Sequence, residues 1–430
     1  MATSKPGSVI VDMPASLELR DSAKRWWLAG LLILAMMFCY AQRGALSIAA
    51  PAMIRELGLT TAVMGILLSA FSWTYSFLQV PAGYLVDRYG VRRPYAWLYG
   101  VSSLATAATG MVTGLVSLMA ARMAVGVGQA GAFPASLRAV SNWFHDGERG
   151  LVTASYLTGV RLGQALINAV GVALLATFGW KTFFLLVGTI PLIWLLPWNI
   201  FLRRWEGPST GLKAGTARPK AGVSIKARLR LLRNRDVLGI FLGYFAYDYV
   251  WFVFTNWLPG YLSLERKFQG AELGLYSSMP FLAMSVVILI SGVVSDSLVR
   301  WGLNEVRVRK ALIAAGLAAS TLLVPAGFVQ DRMTSVWLLT LSLCGLGICP
   351  PNTWTLTQAV CSRNIIGTVA GIQNFGGNVG GIIAPALTGF IVHQTNSFVM
   401  AFEVAAGIAV AGILAYWLLV TRRVEIEEQG

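Results

Sequence analysis

The stretch that decides the fold is Phe38–Ser47, which reads FCYAQRGALS. It lies inside an apolar run that begins at Trp26 and ends near Pro51, long enough to cross a bilayer as a helix. An arginine at the centre of such a helix costs about 2.5–3.5 kcal/mol on insertion scales. Arg43 is therefore expected to face a water-filled cavity or a partner, and we interpret it as an anion-binding group in a transport pathway. The alternative is a structural arginine that reaches the interface or bonds carbonyl oxygens.

The composition is that of a polytopic membrane protein. Of the 430 residues, 56% are hydrophobic and only 12% are charged, and the mean hydropathy is +0.64. Soluble domains carry about 25% charged residues. The four cysteines show neither metal-ligand nor disulfide spacing, and the chain has only two histidines. We therefore expect no metal site, no cofactor and, without a nucleophile–base pair or phosphate loop, no enzyme activity.

Hydropathy divides the chain into apolar runs that predict an all-α membrane protein with twelve transmembrane helices. Six runs precede and six follow one long polar connection, which predicts two pseudo-symmetric six-helix bundles. The candidate spans are 26–50, 62–86, 94–114, 116–140, 150–178, 181–202, 237–262, 272–299, 308–329, 335–360, 363–393 and 398–421.

Basic residues determine the predicted orientation. They cluster on one side of the spans and above all in the long connection, so the positive-inside rule places both termini and this connection in the cytoplasm. The net charge of +15 is therefore a topology signal, and we expect no nucleic-acid partner. The predicted organisation is a tail at 1–25 without a cleavable signal peptide, a bundle at 26–202, a basic loop at 203–236, a bundle at 237–421 and a tail at 422–430.

The two halves carry related motifs. The second span ends in GYLVDRYGVRR (83–93) and the eighth in GVVSDSLVR (292–300). In each motif a glycine stands four residues before an aspartate, Asp87 or Asp296, on one face of a helix, where it can admit a neighbouring helix. Two such halves around a midplane site are the layout of many secondary transporters.

The first motif resembles the cytoplasmic loop motif of the major facilitator superfamily. The resemblance implies a gate at the cytoplasmic end of two bundles that work by alternating access. With twelve spans and a central loop, it covers the whole chain. The gate residues that it implies are Gly83, Asp87, Arg88, Gly90, Arg92 and Arg93, with Asp296 at the corresponding place in the second half.

Three further stretches resemble the anion:cation symporter branch of that superfamily, which includes bacterial D-galactonate and hexuronate transporters and, more distantly, sialin and the vesicular glutamate carriers. They are Tyr40–Arg43, Gly126–Ala135 and Asn374–Asn378. The resemblance implies a transporter of a small organic anion, such as a sugar acid or another small carboxylate, in the bacterial inner membrane. The substrate contacts that it implies are Tyr40, Arg43, Tyr75, Thr353, Trp354 and Asn374.

The sequence departs from that branch at two positions that bear on energy coupling. The proton-coupled relatives have an aspartate where this chain has Gln42 and a glutamate where it has Gln129. Because glutamine cannot titrate, the coupling mechanism of those relatives cannot be transferred to this chain. Two or three arginines along the pathway stand against Asp248 alone, and this surplus of positive charge favours exchange of anions or facilitated flux over obligatory proton symport. Arg122 lies seven residues before Gln129, on nearly the same helical face. The resemblance implies that Arg122 binds substrate or switches partners during transport; the alternative is an arginine that ties helices together.

Polar residues at helical spacing mark two more spans. Arg161 and Gln164, with Asn168, form a polar stripe that predicts a substrate-facing surface. The alternative for Arg161 is pairing with a buried carboxylate. In the seventh span, Trp251 is expected at the substrate or in helix packing, and Asp248 is expected to be a proton carrier or the partner of an arginine.

Two other functions stand beside an anion carrier that works without proton symport. One is a proton-coupled symporter in which Asp248 is the proton site. The other is a non-transporting membrane sensor on the same fold, although the central connection lacks the apolar residues of an output domain. The expected partners are a small anionic substrate, the lipid bilayer, and protons or a counter-anion. We expect a monomer.

Overall fold

A computed structural model describes residues 23–205, 231, 233–362, 365–421 and 424. These residues form helices connected by short turns, with one isolated β-bridge between Cys361 and Val424. A short 3-10 helix, Ile190–Trp194, and a π-helical turn, Ala415–Leu419, extend the α-helices. The α-helices are α1 Arg25–Leu57, α2 Thr61–Tyr89, α3 Arg92–Thr109, α4 Leu115–Gln129, α5 Ala132–Trp143, α6 Asp146–Thr189, α7 Leu195–Trp205, α8 Arg235–Leu264, α9 Gly270–Arg300, α10 Glu305–Ser320, α11 Leu323–Phe328, α12 Arg332–Gly347, α13 Cys349–Val360, α14 Ile366–Thr395 and α15 Val399–Leu414.

Ten helical segments in this part of the chain are long and apolar enough to cross a membrane. The 18-residue helix α3 lies between two of them. One of the ten, Glu148–Trp205, is 58 residues long and contains a reversal of the chain, so it holds two spans. The helices therefore agree with the twelve predicted spans and with the predicted all-α fold.

The reversal lies at Gly179, which interrupts α6 with a φ of 71° and a ψ of 167°. A positive φ favours glycine because this residue has no Cβ. At the reversal, Trp180 Nε1 donates to Glu56 near the end of α1. Further along, Trp194 Nε1 donates to the carbonyl oxygen of Leu31, near the beginning of α1. The chain has thus turned back, and the fifth and sixth predicted spans follow one another without a loop.

The fourth and tenth predicted spans are each interrupted without a reversal of the chain, because α4 is followed directly by α5, and α12 by α13. Just beyond each break, a proline packs against the motif glycine of a neighbouring helix. A Cβ added at Gly83 would lie 3.7 Å from Pro134 Cβ, and one added at Gly292 would lie 4.0 Å from Pro351 Cβ. The equivalent contact in both halves is the close helix approach that the two glycine–aspartate motifs predict.

The two halves, α1–α7 and α8–α15, meet at the end of the molecule that contains the turn between α1 and α2, called the far end below. There, a Cβ added at Gly65 on α2 would lie 2.5 Å from the carbonyl oxygen of Pro385 on α14. Ser47 Oγ of α1 donates to the carbonyl oxygen of Asn256 on α8 at 2.7 Å. Close contacts that involve main-chain atoms therefore hold the two halves together at this end.

The opposite end, called the basic end below, carries the arginines of the two motifs. Ion pairs at this end join residues of the same half: Asp87 lies 3.7 Å from Arg138, and Asp296 lies 2.7 Å from Arg309. Most residues of the predicted tails at 1–25 and 422–430 and of the predicted loop at 203–236 lie outside the described residues. The described edges of that loop are helical, because α7 continues to Trp205 and α8 begins at Arg235.

Candidate functional site

Arg43 lies in the middle of α1 among three aromatic rings, called the aromatic cage below: Tyr40, Phe71 and Tyr75. Its Cζ lies 4.4, 4.5 and 4.4 Å from their ring centroids. Phe71 and Tyr75 lie four residues apart on α2, and their rings stack at 5.0 Å. A ring face attracts a guanidinium group by about 0.5–2 kcal/mol. The cage therefore stabilises a cation in the middle of a membrane helix.

Among the described residues, one buried nitrogen of Arg43 has no hydrogen-bond partner. Nε donates to Gln129 Oε1 at 2.6 Å, whereas Nη2 is buried and forms no hydrogen bond within the described part of the chain. Guanidinium nitrogens are donors only, and a buried unbonded donor costs about 1–3 kcal/mol. A carboxylate oxygen would satisfy this donor. Arg43 therefore has a buried donor whose hydrogen-bonding capacity is unmet in this conformation.

Gln42 and Gln129 form a network of neutral hydrogen bonds behind the aromatic cage. Gln42 Nε2 donates to Ser103 Oγ at 3.0 Å, and Gln42 Oε1 accepts from Ser102 Oγ at 2.8 Å and from Gln129 Nε2 at 3.2 Å. Gln129 Nε2 also donates to the carbonyl oxygen of Cys39 at 3.1 Å. Each amide both donates and accepts, which an ionised carboxylate cannot do. The surroundings of both positions are therefore complementary to glutamine.

A second arginine, Arg122 on α4, lies against the same aromatic cage. Its Cζ is 5.9 Å from the ring centroid of Phe71, which Arg43 also contacts. Arg122 is 3% exposed, and its Nε has no hydrogen-bond partner among the residues described. In the same residues, no carboxylate lies within 4 Å of either arginine. Two cations thus lie near the ring of Phe71.

Arg161 of α6 is a third cation, and it lies at the boundary between the halves. Its Cζ is 4.0 Å from the ring centroid of Trp251 on α8. Arg161 also interacts electrostatically with the carboxylate of Asp248, although the described ranges contain no ion pair between them within 4 Å. The structure therefore brings together Arg161, Trp251 and Asp248, which the sequence assigned to the substrate and to coupling.

Asp248 is packed against α14 at a glycine. A Cβ added at Gly377 would overlap Asp248 Oδ2 and would lie 2.8 Å from Tyr244 Cε1. Asp248 is partly buried and forms no hydrogen bond within the ranges that the structure describes. Gly377 thus provides the space that lets a carboxylate stand between α8 and α14.

Two predicted substrate residues of the second half lie on α13, beyond its break from α12. The Thr353 side chain is fully buried, and its Oγ1 donates to the carbonyl oxygen of Pro350 in the same helix at 3.1 Å. Trp354 is partly buried and meets the ring of Tyr244 edge-on at 5.4 Å. In this conformation the ring of Trp354 packs against Tyr244 of α8, and Thr353 bonds within its own helix.

Asn374 of the second half forms a hydrogen bond with a residue of the first half. Its Nδ2 donates to Gln79 Oε1 on α2 at 2.7 Å. Gln79 lies four residues after Tyr75, hence on the same face of α2 as the cage. Neither Gln79 nor Phe71 is among the site residues that the sequence predicts. The available signal was the spacing of Phe71, Tyr75 and Gln79 at intervals of four in an apolar helix.

Gln164 lies in a helix interface. It is 1% exposed, its Nε2 donates to Asn168 Oδ1 at 3.1 Å, and a Cβ added at Gly44 would lie 2.7 Å from that nitrogen. Asn168 Nδ2 in turn donates to the carbonyl oxygen of Ser277 on α9 at 2.8 Å. The polar stripe of α6 therefore divides: Arg161 lies at the boundary between the halves, Gln164 lies in the interface of α6 with α1, and Asn168 joins the halves through α9.

The residues assigned to the gate lie at the basic end. Besides the pairing of Asp87 and Asp296 with arginines of their own halves, Arg88 Nη1 donates to Tyr84 at 3.0 Å, and Gly90 ends α2 with a φ of 82°. Gly83 packs against α5, as described above. A cavity of about 400 Å³ opens near this end, and its lining includes Arg92, Arg93 and Arg203.

Known proteins match this chain along nearly its whole length. Residues 32–385 match the family model described as Major Facilitator Superfamily. The chain is 32% identical to the D-galactonate transporter of Escherichia coli O6:H1 over 95% of this chain and 98% of the relative. It is 33% identical to the hexuronate transporter of Bacillus subtilis over 89% of this chain and 92% of the relative.

Among solved structures, the fold is similar to an inward-facing, unoccupied bacterial homologue of the human lysosomal transporter Spinster. The TM-score is 0.77 and the sequence identity is 16%, over 93% of this chain and 98% of the other. This likeness concerns the fold, and it supports the helix arrangement described above.

Proposed function

The chain belongs to the Major Facilitator Superfamily and is a membrane transporter, not an enzyme, and we propose that it carries a small sugar acid by alternating access. The names of the two relatives, a D-galactonate and a hexuronate transporter, support a sugar acid. The observation that carries the proposal is the buried Nη2 of Arg43, a donor that a substrate carboxylate would satisfy.

In the proposed complex the carboxylate binds Arg43, between the rings of Tyr40 and Tyr75. The hydroxyl groups of the sugar acid need neutral donors and acceptors. Gln79 and Asn374 offer both, because the side-chain amides that now bond each other also have free hydrogen-bonding capacity. Trp354 and the neighbouring Thr353, both on α13, complete the part of the site that we propose to bind the hydroxyl groups.

We place the basic end in the cytoplasm and the protein in the inner membrane of a bacterium. The arginines at the ends of α2, α3 and α7 support this orientation through the positive-inside rule. In this orientation, the conformation is closed at the far end and opens towards the cytoplasm. The pairing of Asp87 and Asp296 within their own halves fits a released gate. Both halves of one chain complete the site, and we propose a monomer.

For coupling, we propose exchange of one anion for another or facilitated flux. The amide network of Gln42 and Gln129 supports this, because it contains no titrating group. Arg43 and Arg122 are left without a carboxylate within 4 Å in the described residues. An empty site with surplus positive charge is costly to reorient in a low-dielectric environment, and a bound anion lowers that cost.

A second candidate mechanism, proton symport through Asp248, is favoured by one observation. Asp248 is partly buried and forms no ion pair within 4 Å inside the described ranges, as a carboxylate that takes up and releases a proton would be. Proton symport into a vesicle is driven by a proton gradient and needs no substrate inside. Anion exchange needs substrate inside the vesicle and no proton gradient. A transport assay that varies both therefore separates them.

The test of the proposed function is uptake of radiolabelled D-galactonate and of a hexuronate into liposomes that contain the purified protein. We expect saturable uptake that falls at least about tenfold in Arg43→Gln. The matched control is Arg55→Gln, an exposed arginine near the far end of the same helix, which should transport as the wild type does. If neither sugar acid enters faster than into protein-free liposomes, the proposal is wrong.

A further inference from the structure

The cavity of about 400 Å³ at the basic end lies between the beginning of α3 and the end of α7. Three arginines line it, Arg92 and Arg93 on α3 and Arg203 on α7, together with Asn199 and Ile200. Within the described ranges, no carboxylate lies within 4 Å of Arg93 or Arg203. The positive-inside rule accounts for basic residues at this end, but it does not account for their meeting around one cavity. The cavity therefore has a cationic lining that the transport site does not explain.

Buried aromatic side chains hold the two helices of this cavity together. Trp198 Nε1 of α7 donates to the carbonyl oxygen of Arg92 on α3 at 3.1 Å. The ring of Trp198 stacks on that of Trp194 at 4.7 Å and meets the ring of Tyr95 edge-on at 5.1 Å, and all three side chains are buried. This packing fixes the separation of α3 and α7. Because both helices belong to the first half, the cavity is independent of how the two halves meet.

An apolar groove continues from the cavity along the outer surface of the same two helices. Arg93, Trp97 and Gly100 lie four and three residues apart, hence on one face of α3. A Cβ added at Gly100 would lie 3.9 Å from Leu195 Cδ1, so this face meets α7 there. Beside this contact, Trp97 and Leu196 are 77% and 64% exposed. Gly100 is eight residues after the start of α3, or about 12 Å along the helix axis, so the groove extends to the depth of the lipid chains.

We propose that this cavity binds the headgroup of an anionic phospholipid, with the phosphate at Arg93 and Arg203 and an acyl chain in the groove beside Gly100. The planar guanidinium group fits phosphate oxygens, and basic pockets between membrane helices on the cytoplasmic side bind anionic headgroups. A free phosphate ion would leave the apolar groove unused. The chain that follows α7 is a poorer occupant by its charge, because residues 206–230 contain one acidic residue, Glu206, and six basic ones.

The test counts lipids bound to the purified full-length protein by native mass spectrometry in detergent. The two lipids are dioleoyl phosphatidylglycerol, which is anionic, and dioleoyl phosphatidylcholine, which has the same chains and no net charge. We expect the wild type to bind one phosphatidylglycerol at least about tenfold more tightly than phosphatidylcholine, since the arginines pair with a headgroup whose charge is not already compensated.

Two neighbouring arginines separate this site from general attraction to a basic surface. Arg203→Gln should lower the affinity for phosphatidylglycerol about fivefold, and the double variant Arg93→Gln/Arg203→Gln about 25-fold, because each arginine near a lipid headgroup contributes by that factor. Arg204→Gln is the matched control. It removes the same charge one residue along, from a guanidinium group that lies 5.4 Å from the ring of Trp205 and does not line the cavity. Its affinity should equal that of the wild type.

Gly100→Leu tests the groove. An added Cβ meets only Leu195 Cδ1, so the larger side chain fits without a clash and fills the space proposed for the acyl chain. Leucine also favours a helix more than glycine does. We expect the affinity for phosphatidylglycerol to fall at least about threefold, while the lipid-free protein unfolds at the wild-type temperature or above.

Equal affinities of the wild type for the two lipids would overturn the inference. Equal losses in Arg203→Gln and Arg204→Gln, or wild-type affinity in Gly100→Leu, would do the same. Displacement of phosphatidylglycerol by equimolar inorganic phosphate would identify a phosphate-ion site instead, and binding seen only in Glu206→Gln would show that the chain itself fills the cavity. These measurements use no sugar acid, so their outcome is separate from that of the proposed transport function.

Discussion

The side-chain oxygen of Gln129 accepts a 2.6 Å hydrogen bond from Nε of Arg43. This bond joins α4 to α1 and fixes the orientation of the guanidinium group inside the aromatic cage. Because the acceptor is neutral, it orients the cation without neutralising it. A carboxylate at the same position would pair with Arg43 and compete with an incoming anion. The arrangement suits a site whose negative charge arrives with the substrate.

The first prediction follows from that bond. Gln129→Glu should weaken the binding of a sugar acid at neutral pH, because the ionised glutamate pairs with Arg43. As the pH falls and the glutamate takes up a proton, affinity should recover, whereas wild-type affinity should change little over the same range. Calorimetric titrations at a series of pH values check this. Equal pH profiles for Gln129→Glu and the wild type would contradict the role given to Gln129.

The second prediction concerns the geometry of Arg43. Arg43→Lys keeps the positive charge but loses the planar donor pair, so affinity for the substrate should fall about 10- to 150-fold, the equivalent of about 1.5–3 kcal/mol. The affinity of Arg43→Ala for the substrate should be lower still. Binding is measured on purified protein, with Arg55→Lys as the matched control. An affinity in Arg43→Ala equal to that of the wild type would exclude Arg43 as the carboxylate anchor.

The third prediction concerns hydroxyl recognition by Asn374 and Gln79. A site that hydrogen-bonds substrate hydroxyl groups rejects analogues that lack them, because its polar groups are then left unpaired. Asn374→Ala should therefore reduce the preference for a sugar acid over its deoxy analogue by about tenfold, and Gln79→Ala should do the same. The preference is measured for each variant by letting the sugar acid and its deoxy analogue compete with uptake of the labelled sugar acid. If both variants keep the preference of the wild type, neither amide binds a substrate hydroxyl group.

The fourth prediction concerns Gly377, where any side chain meets Asp248. Gly377→Ala should destabilise the protein by about 1–3 kcal/mol or displace the carboxylate, since the added Cβ overlaps Asp248 Oδ2. Gly371→Ala on the same helix is the matched control, because nothing lies within 4 Å of its added Cβ. Thermal unfolding is measured for both variants. Combining Gly377→Ala with Asp248→Ala should restore stability, and failure of that rescue would place the clash elsewhere.

The fifth prediction concerns energy coupling. Liposomes loaded with substrate should take up labelled substrate faster than empty ones, and an imposed proton gradient should not drive accumulation into empty liposomes. Asp248→Asn should retain exchange. Strong accumulation driven by the gradient, abolished in Asp248→Asn, would instead establish Asp248 as the proton site.

The membrane architecture could be predicted from the sequence because its causes are local. Apolar length predicts each span, and Pro350 and Pro351 predict the break between α12 and α13 because they cannot continue regular helix hydrogen bonding. Arg43 was identified for the same reason, since an isolated charge in an apolar run needs a cavity. These inferences depend on one segment at a time.

The lateral partners of each helix could not be predicted in this way. Arg161 and Gln164 are three residues apart, yet one lies on Trp251 and the other is enclosed against Gly44. Helical spacing shows that two residues share a broad face, but the neighbouring helices decide which part of that face borders the cavity. Gln79 was missed for a related reason, because its partner Asn374 lies 295 residues away in the sequence.

The contact of Gly65 with Pro385 has a consequence for the speed of transport. An added Cβ there would lie 2.5 Å from the Pro385 carbonyl oxygen and 3.1 Å from Gly389 Cα, so the two helices touch through main-chain atoms. Around this contact, apolar side chains of both halves, among them Met64 and Trp257, are buried in one cluster, and hydrophobic free energy scales with the area that opening would expose. Opening the far end must therefore break this packing, and its cost adds to the barrier of the conformational change that transport requires.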